Sequence, residues 1–104
     1  MKKIANITKL KDGAADDYRA LHEGIWQEIV DAGHQYGLRN FTMFRHGDYI
    51  FSYYEYIGDD FEEDMKEKSK CKNQAEWQAE CSKFKTEIDG RPSIPLEEFW
   101  HNDF

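Results

Sequence analysis

At 104 residues the chain is read as one domain, long enough to bury a core and too short to hold a second. Twenty-one Asp and Glu against 14 Lys and Arg give a net charge of −7. That balance excludes the clustered cationic footprint needed for nucleic acid and the basic face of a membrane-surface helix. Aromatic residues at 15% are abundant, and 34% charged residues beside 39% hydrophobic ones imply a well-solvated surface.

Met1-Lys2-Lys3 leads into a short alternating stretch and not an apolar run, so no signal peptide is expected. Nothing approaches the roughly 20 apolar residues of a membrane span. Cys71 and Cys81 lie ten positions apart with no Cys-x-x-Cys pair. Without a secretory signal, reduced thiols and a cytoplasmic location are the expectation.

Residues 3–10 read as a β-strand, broken by Asp12-Gly13. A helix over about residues 14–36 follows, with Asp16 and Asp17 complementing its dipole and Gly37 as its stop. Leu21, Ile25, Ile29, Ala32 and Tyr36 form its apolar stripe. Residues 38–45 and 49–57, rich in aromatic and β-branched side chains, read as a hairpin closed at His46-Gly47-Asp48. In the first of these strands Phe41, Met43 and Arg45 share one face, while Asn40, Thr42 and Phe44 share the other. Phe51, Tyr53 and Glu55 alternate in the same way against Ile50, Ser52, Tyr54 and Tyr56. Further helices are predicted over about 60–69 and 73–88, the latter with Trp77, Cys81 and Phe84 on one face, and a last strand over 95–102. The acidic run from Asp59 to Asp64 reads as a solvated helix start.

The order β-α-β-β-α-α-β is an α+β arrangement, the ferredoxin-like split β-α-β unit with an extra helix. Helices should cover one face of a four-stranded antiparallel sheet. Large side chains on both faces of the hairpin then call for cover on the second face, by a ligand or a second subunit. A homodimer of the dimeric α/β-barrel type is predicted.

Tyr18, His22 and Trp26 fall at four-residue steps, which on a continuous helix stacks a phenol, an imidazole and an indole on one face. Aromatic faces pack on pyranose rings, and histidine moves protons near neutral pH. The same pattern also describes a buried stripe. For Trp26 helix-to-sheet packing fits better than a ligand contact, because buried tryptophan is usually structural.

This triplet resembles the first helix of the L-rhamnose mutarotases. Gly37-Leu38-Arg39-Asn40-Phe41 is similar to that family's Gly-x-x-Asn-aromatic lead into the second strand. Trp77 and the closing Leu96-Glu97-Glu98-Phe99-Trp100-His101 also resemble it, so the likeness spans essentially the whole chain. The resemblance implies a dimeric ferredoxin-like enzyme that interconverts the α and β anomers of a 6-deoxy sugar, with L-rhamnose expected and L-fucose an alternative. It implies His22 as proton donor, with Tyr18, Phe41 and the pair Glu76-Trp77 contacting the sugar. Two departures stand out. Phe41 replaces the usual tyrosine, and Glu76-Trp77 stands where the family has Trp-Trp.

Mutarotation calls for no cofactor and no metal. The ring opens when the anomeric hydroxyl loses a proton and the ring oxygen gains one, so positioned acid–base groups suffice, each contributing on the order of 10²–10⁴-fold. A second proton carrier is required, and Glu76, Glu55 or water are the options. His34 near the helix end reads as a cation that complements the dipole, His46 in the turn as solvated, and His101 as a marginal site residue. No two histidines sit at metal-ligand spacing. Competing functions are a dimeric ferredoxin-like oxygenase or haem-binding protein, which Asn40 and Trp77 allow, and a non-catalytic sugar-binding module.

Overall fold

A computed structural model describes residues 1–104. The elements are β1 (Lys2–Leu10), α1 (Ala15–Glu23), α2 (Gln27–Gln35), β2 (Leu38–His46), β3 (Tyr49–Tyr56), α3 (Phe61–Ser69), α4 (Gln74–Ser82), β4 (Lys85–Thr86) and β5 (Ile94–Leu96). The sheet is antiparallel in the order β2-β3-β1-β4, with β5 also on β1. This is the mixed α+β, ferredoxin-like architecture the element order predicted, with the fourth strand split in two. Between its halves, Ile88 and Arg91 pair across a tight turn at Asp89-Gly90, both of which hold positive φ. No helix is long and apolar enough to cross a membrane.

Register explains where the core lies. Thr8 pairs with Ile50, and Ile50 with Arg45, so Leu10, Thr8, Ile50 and Met43 belong to the helix-covered face. Leu10 is fully buried there, joined by Ala15 and Tyr18 of α1, Ile29 of α2, and Trp77 and Cys81 of α4. The other face carries a row across four strands, Phe44, Phe51, Ile7 and Ile94, each the Cα partner of the next. Nothing within the chain covers Phe44 or Phe51, which are 63% and 37% exposed.

Three predicted elements are corrected. The helix over 14–36 is two helices, because Gly24 ends α1 and Trp26 is extended (φ −68°, ψ 138°) ahead of α2. Glycine gives up the most backbone freedom in a helix, and it interrupts the pattern here. The helix over 73–88 stops at Ser82: Lys85 and Thr86 pair instead with Leu10 and Lys9, whose edge groups would otherwise lack partners. The strand over 95–102 shrinks to Ile94–Leu96, where Pro95 removes a donor from the ladder, and residues 97–104 carry no regular structure. The hairpin turn is tighter than predicted, since His46 pairs with Tyr49 and leaves only Gly47-Asp48 between the strands.

Candidate active site

A cavity of about 630 Å³ opens between the helices and the covered sheet face. Tyr18, His22, Phe41 and Trp77 all line it, although they come from α1, β2 and α4. Glu76 does not line it. It is exposed on α4, where consecutive residues point about 100° apart, and Gln78 faces the cavity in its place. Glu55 lies on the opposite sheet face and is held by Tyr53 and Asn40. Neither carboxylate offered as a second proton carrier therefore reaches the cavity.

His22 is half-buried in the last turn of α1, and its Nδ1 lies 2.8 Å from the Tyr18 carbonyl oxygen. A carbonyl only accepts, so Nδ1 carries the proton and donates. Nε2 is then an acceptor with no partner in the protein. The rings of Tyr18 and His22 are 4.4 Å apart, and the edge of Trp77 meets His22 at 5.4 Å. Burial, with the nearby Cys81 thiol adding to it, pushes the Tyr18 phenol above its ordinary range. Its hydroxyl stays protonated and makes no hydrogen bond to the protein.

Trp26 is corrected. The break at Gly24 takes it out of line with Tyr18 and His22, and it packs edge-on against the far side of Trp77 at 5.3 Å without lining the cavity. The packing role is the one it fills. His101 is exposed on the C-terminal tail, accepting from Lys3 Nζ at 2.9 Å and donating to Asp103, outside the cavity.

Phe41 reaches the cavity through a bulge between Arg39 and Thr42. Leu38 and Met43 are five residues apart, so strict alternation would put them on opposite faces, yet both line the cavity. Asn40 supplies the extra residue at φ 55°, a left-handed conformation that asparagine tolerates. Its side chain turns to the far face and donates to Glu55 at 2.6 Å. Glu55 also accepts from Tyr53 at 2.7 Å, and these two bonds hold its carboxyl below the usual range. Phe41 lies parallel to Tyr54, 3° between planes and 5.2 Å between centroids, with its other face open. Gly37 precedes the bulge at φ 89°, and a Cβ there would come within 3.0 Å of the Tyr56 ring.

Sequence reasoning missed Gln78, Lys68, Arg39 and Lys85 as lining residues. Gln78 follows Trp77 on the same helix and was within reach of helical spacing. Lys68 enters from a different helix, a placement that periodicity does not carry. Cys71 and Cys81 are both free thiols, and no three potential metal-ligating side chains converge anywhere in the chain.

Residues 3–102 match the family described as L-rhamnose mutarotase. The chain belongs to the L-rhamnose mutarotase family. As a member it is an isomerase, a sugar mutarotase. A UPF0734 protein of Dictyostelium discoideum is 29% identical over 87 residues, 82% of this chain and 70% of that protein. An L-rhamnose mutarotase from Formosa agariphila superposes with a TM-score of 0.79 at 20% identity, covering 99% of this chain and 100% of that one. Tetracenomycin F2 cyclase from Streptomyces glaucescens, a type-II polyketide cyclase, superposes at 0.62 with 14% identity, covering 98% and 99%. At these identities the two structures show a shared fold. The mutarotase assignment rests on the family match.

Proposed function

We propose that this mutarotase interconverts the anomers of L-rhamnose, or a related 6-deoxy sugar such as L-fucose, with His22 as the acid–base group. The observation that carries the reading is the bond from His22 Nδ1 to the Tyr18 carbonyl oxygen, 2.8 Å long. It leaves Nε2 free to take the proton of the anomeric hydroxyl and return it when the ring recloses. Tyr18, with its ring 4.4 Å from the imidazole, is close enough to serve a neighbouring oxygen of the same anomeric centre. Held protonated by burial, its hydroxyl donates to the ring oxygen, passes its proton there as the C1–O bond breaks and takes it back on reclosure. The open face of Phe41 and the edge of Trp77 offer apolar surface to the C–H side of the sugar. Glu76 has no part in this reading, because it lies outside the cavity.

The working form is a homodimer with the uncovered sheet faces paired. The exposed row through Phe44 and Phe51 supports this, as does a core so small that only 11 of 104 residues are buried. Two free thiols suit a reducing, cytoplasmic compartment.

Saturation-transfer NMR between the anomeric protons of L-rhamnose tests the reaction. Wild type should accelerate exchange, and His22→Ala should lose roughly 10²–10⁴-fold, the contribution of one positioned proton carrier. Full activity of His22→Ala on every sugar tested would falsify the assignment.

A further inference from the structure

The cavity wall carries charge of one sign. Arg39, Lys68 and Lys85 line it and no Asp or Glu does, in a chain where acidic residues outnumber Lys and Arg by 21 to 14. The three cations are not equivalent. Arg39 Nη1 donates to the carbonyl oxygens of His34 and Leu38 at 2.9 and 2.8 Å, so it caps the end of α2. Lys85 stands at the start of β4 beside buried Cys81.

Lys68 is different. It is half-buried in the last turn of α3, and one of its three N–H groups donates to Oε1 of Gln74 at 3.0 Å. Gln74 is only 4% exposed, and its Nε2 is buried without a partner. Lys68 is therefore held from beneath by a residue that is itself fixed, with two N–H groups uncommitted. Its natural helical partner, Asp64 one turn earlier, is taken by the Tyr56 hydroxyl. A half-buried ammonium with no counter-ion is costly, and an anionic ligand would relieve that cost. A neutral 6-deoxy sugar has no group that does so.

Gln74 lies one turn before Trp77 on α4, and Trp77 touches His22. Lys68 lines the same cavity as Trp77 and His22. With the anomeric carbon at His22, a carboxylate borne on C5, across the ring oxygen from that carbon, shares the cavity with Lys68. We propose that the cavity accepts an aldohexuronate, a monosaccharide whose carboxylate is remote from the anomeric centre and meets Lys68. This inference rests on the mutarotase reading and extends its substrate range from neutral sugars to sugar acids.

The test is anomeric exchange by NMR at neutral pH, run in parallel on L-rhamnose, D-galacturonate, D-glucuronate and D-glucose 6-phosphate. Wild type should accelerate at least one uronate. In Lys68→Met the ratio of kcat/KM for that uronate to kcat/KM for L-rhamnose should fall about tenfold or more, chiefly through KM, the scale of one lost charge-assisted hydrogen bond. Lys68→Arg should keep most of the ratio. Should Lys68→Met fail to fold, salt decides on wild type alone: raising ionic strength from about 0.05 to 0.5 M should raise KM for the uronate and leave that for L-rhamnose unchanged. Acceleration of L-rhamnose without either uronate, a ratio unmoved by Lys68→Met, or a salt-independent uronate KM overturns the inference and leaves the mutarotase reading standing. Activity on the phosphate but not the uronates overturns the carboxylate assignment. Acceleration of no sugar removes the mutarotase reading, and the inference with it.

Discussion

The two faces of the sheet are made by the same strands and the same alternation, yet they end in different states. On one, Leu10 and Ile50 are sealed by Tyr18, Ile29, Trp77 and Cys81, and a cavity remains where the helices do not meet. On the other, Phe44, Phe51, Ile7 and Ile94 make an apolar row that the chain covers only in part, with Phe44 63% exposed and Ile7 and Ile94 half-buried. The C-terminal tail does not close it, since Phe99 and Phe104 are fully exposed themselves. A small chain with four short helices has material to close one face only. The closed face is where Tyr18, His22 and Trp77 come together around the cavity, and it is there that we propose the chemistry. The open face is the one proposed to pair with a second copy.

Four changes break or sharpen that contrast. Trp77→Ala strikes the closed face at its centre, where the indole is 5% exposed and touches both His22 and Trp26. It should cost about 3–5 kcal/mol, a large part of the roughly 5–15 kcal/mol typical of a domain, read as a urea midpoint shifted far down or lost. An unchanged midpoint would mean the core lies elsewhere. Phe51→Lys strikes the open face. Wild type should sediment as a dimer at micromolar concentration and the variant as a monomer. Wild type found monomeric there would end the paired-sheet reading.

Smaller effects separate site from core on the closed face. Tyr18→Phe removes a hydroxyl that no protein group uses, so stability should change by less than about 1 kcal/mol while the anomerisation rate falls about tenfold. An unaltered rate would release Tyr18 from the chemistry. The pH dependence of stability gives the least effect. Burial holds Tyr18 protonated in the fold beyond the ordinary tyrosine value of 10.0. The unfolded chain therefore sheds that proton first, and the stabilisation present below pH 10 drains away as pH rises above it. Chemical denaturation between about pH 9 and 11 should show a decline that is shallower in Tyr18→Phe, and equal slopes would contradict the assignment.

Much of the fold was legible because it is written in local pattern. The period-two alternation from Thr42 to Tyr56, the glycine-containing turn around Gly47 and the acidic start at Asp60 each specify an element from neighbouring residues alone. The candidate site was legible in part. Tyr18 and His22 are one turn apart on α1 and do meet, whereas the row does not continue to Trp26 because one glycine ended the helix between them. Glu76 was carried over by likeness to a Trp-Trp pair, and helical geometry turns it outward while its neighbour Trp77 faces in.

The sequence by itself determined β1, the β2–β3 hairpin, the α3 start and the likeness to the family, since these follow from spacing along a single chain. Tertiary structure alone decided the rest: the tautomer of His22, the bulge that brings Phe41 to the cavity, and the arrival of Lys68 from α3. Those depend on which groups meet across the fold, where hydrogen bonds and burial are settled between residues that no periodicity connects.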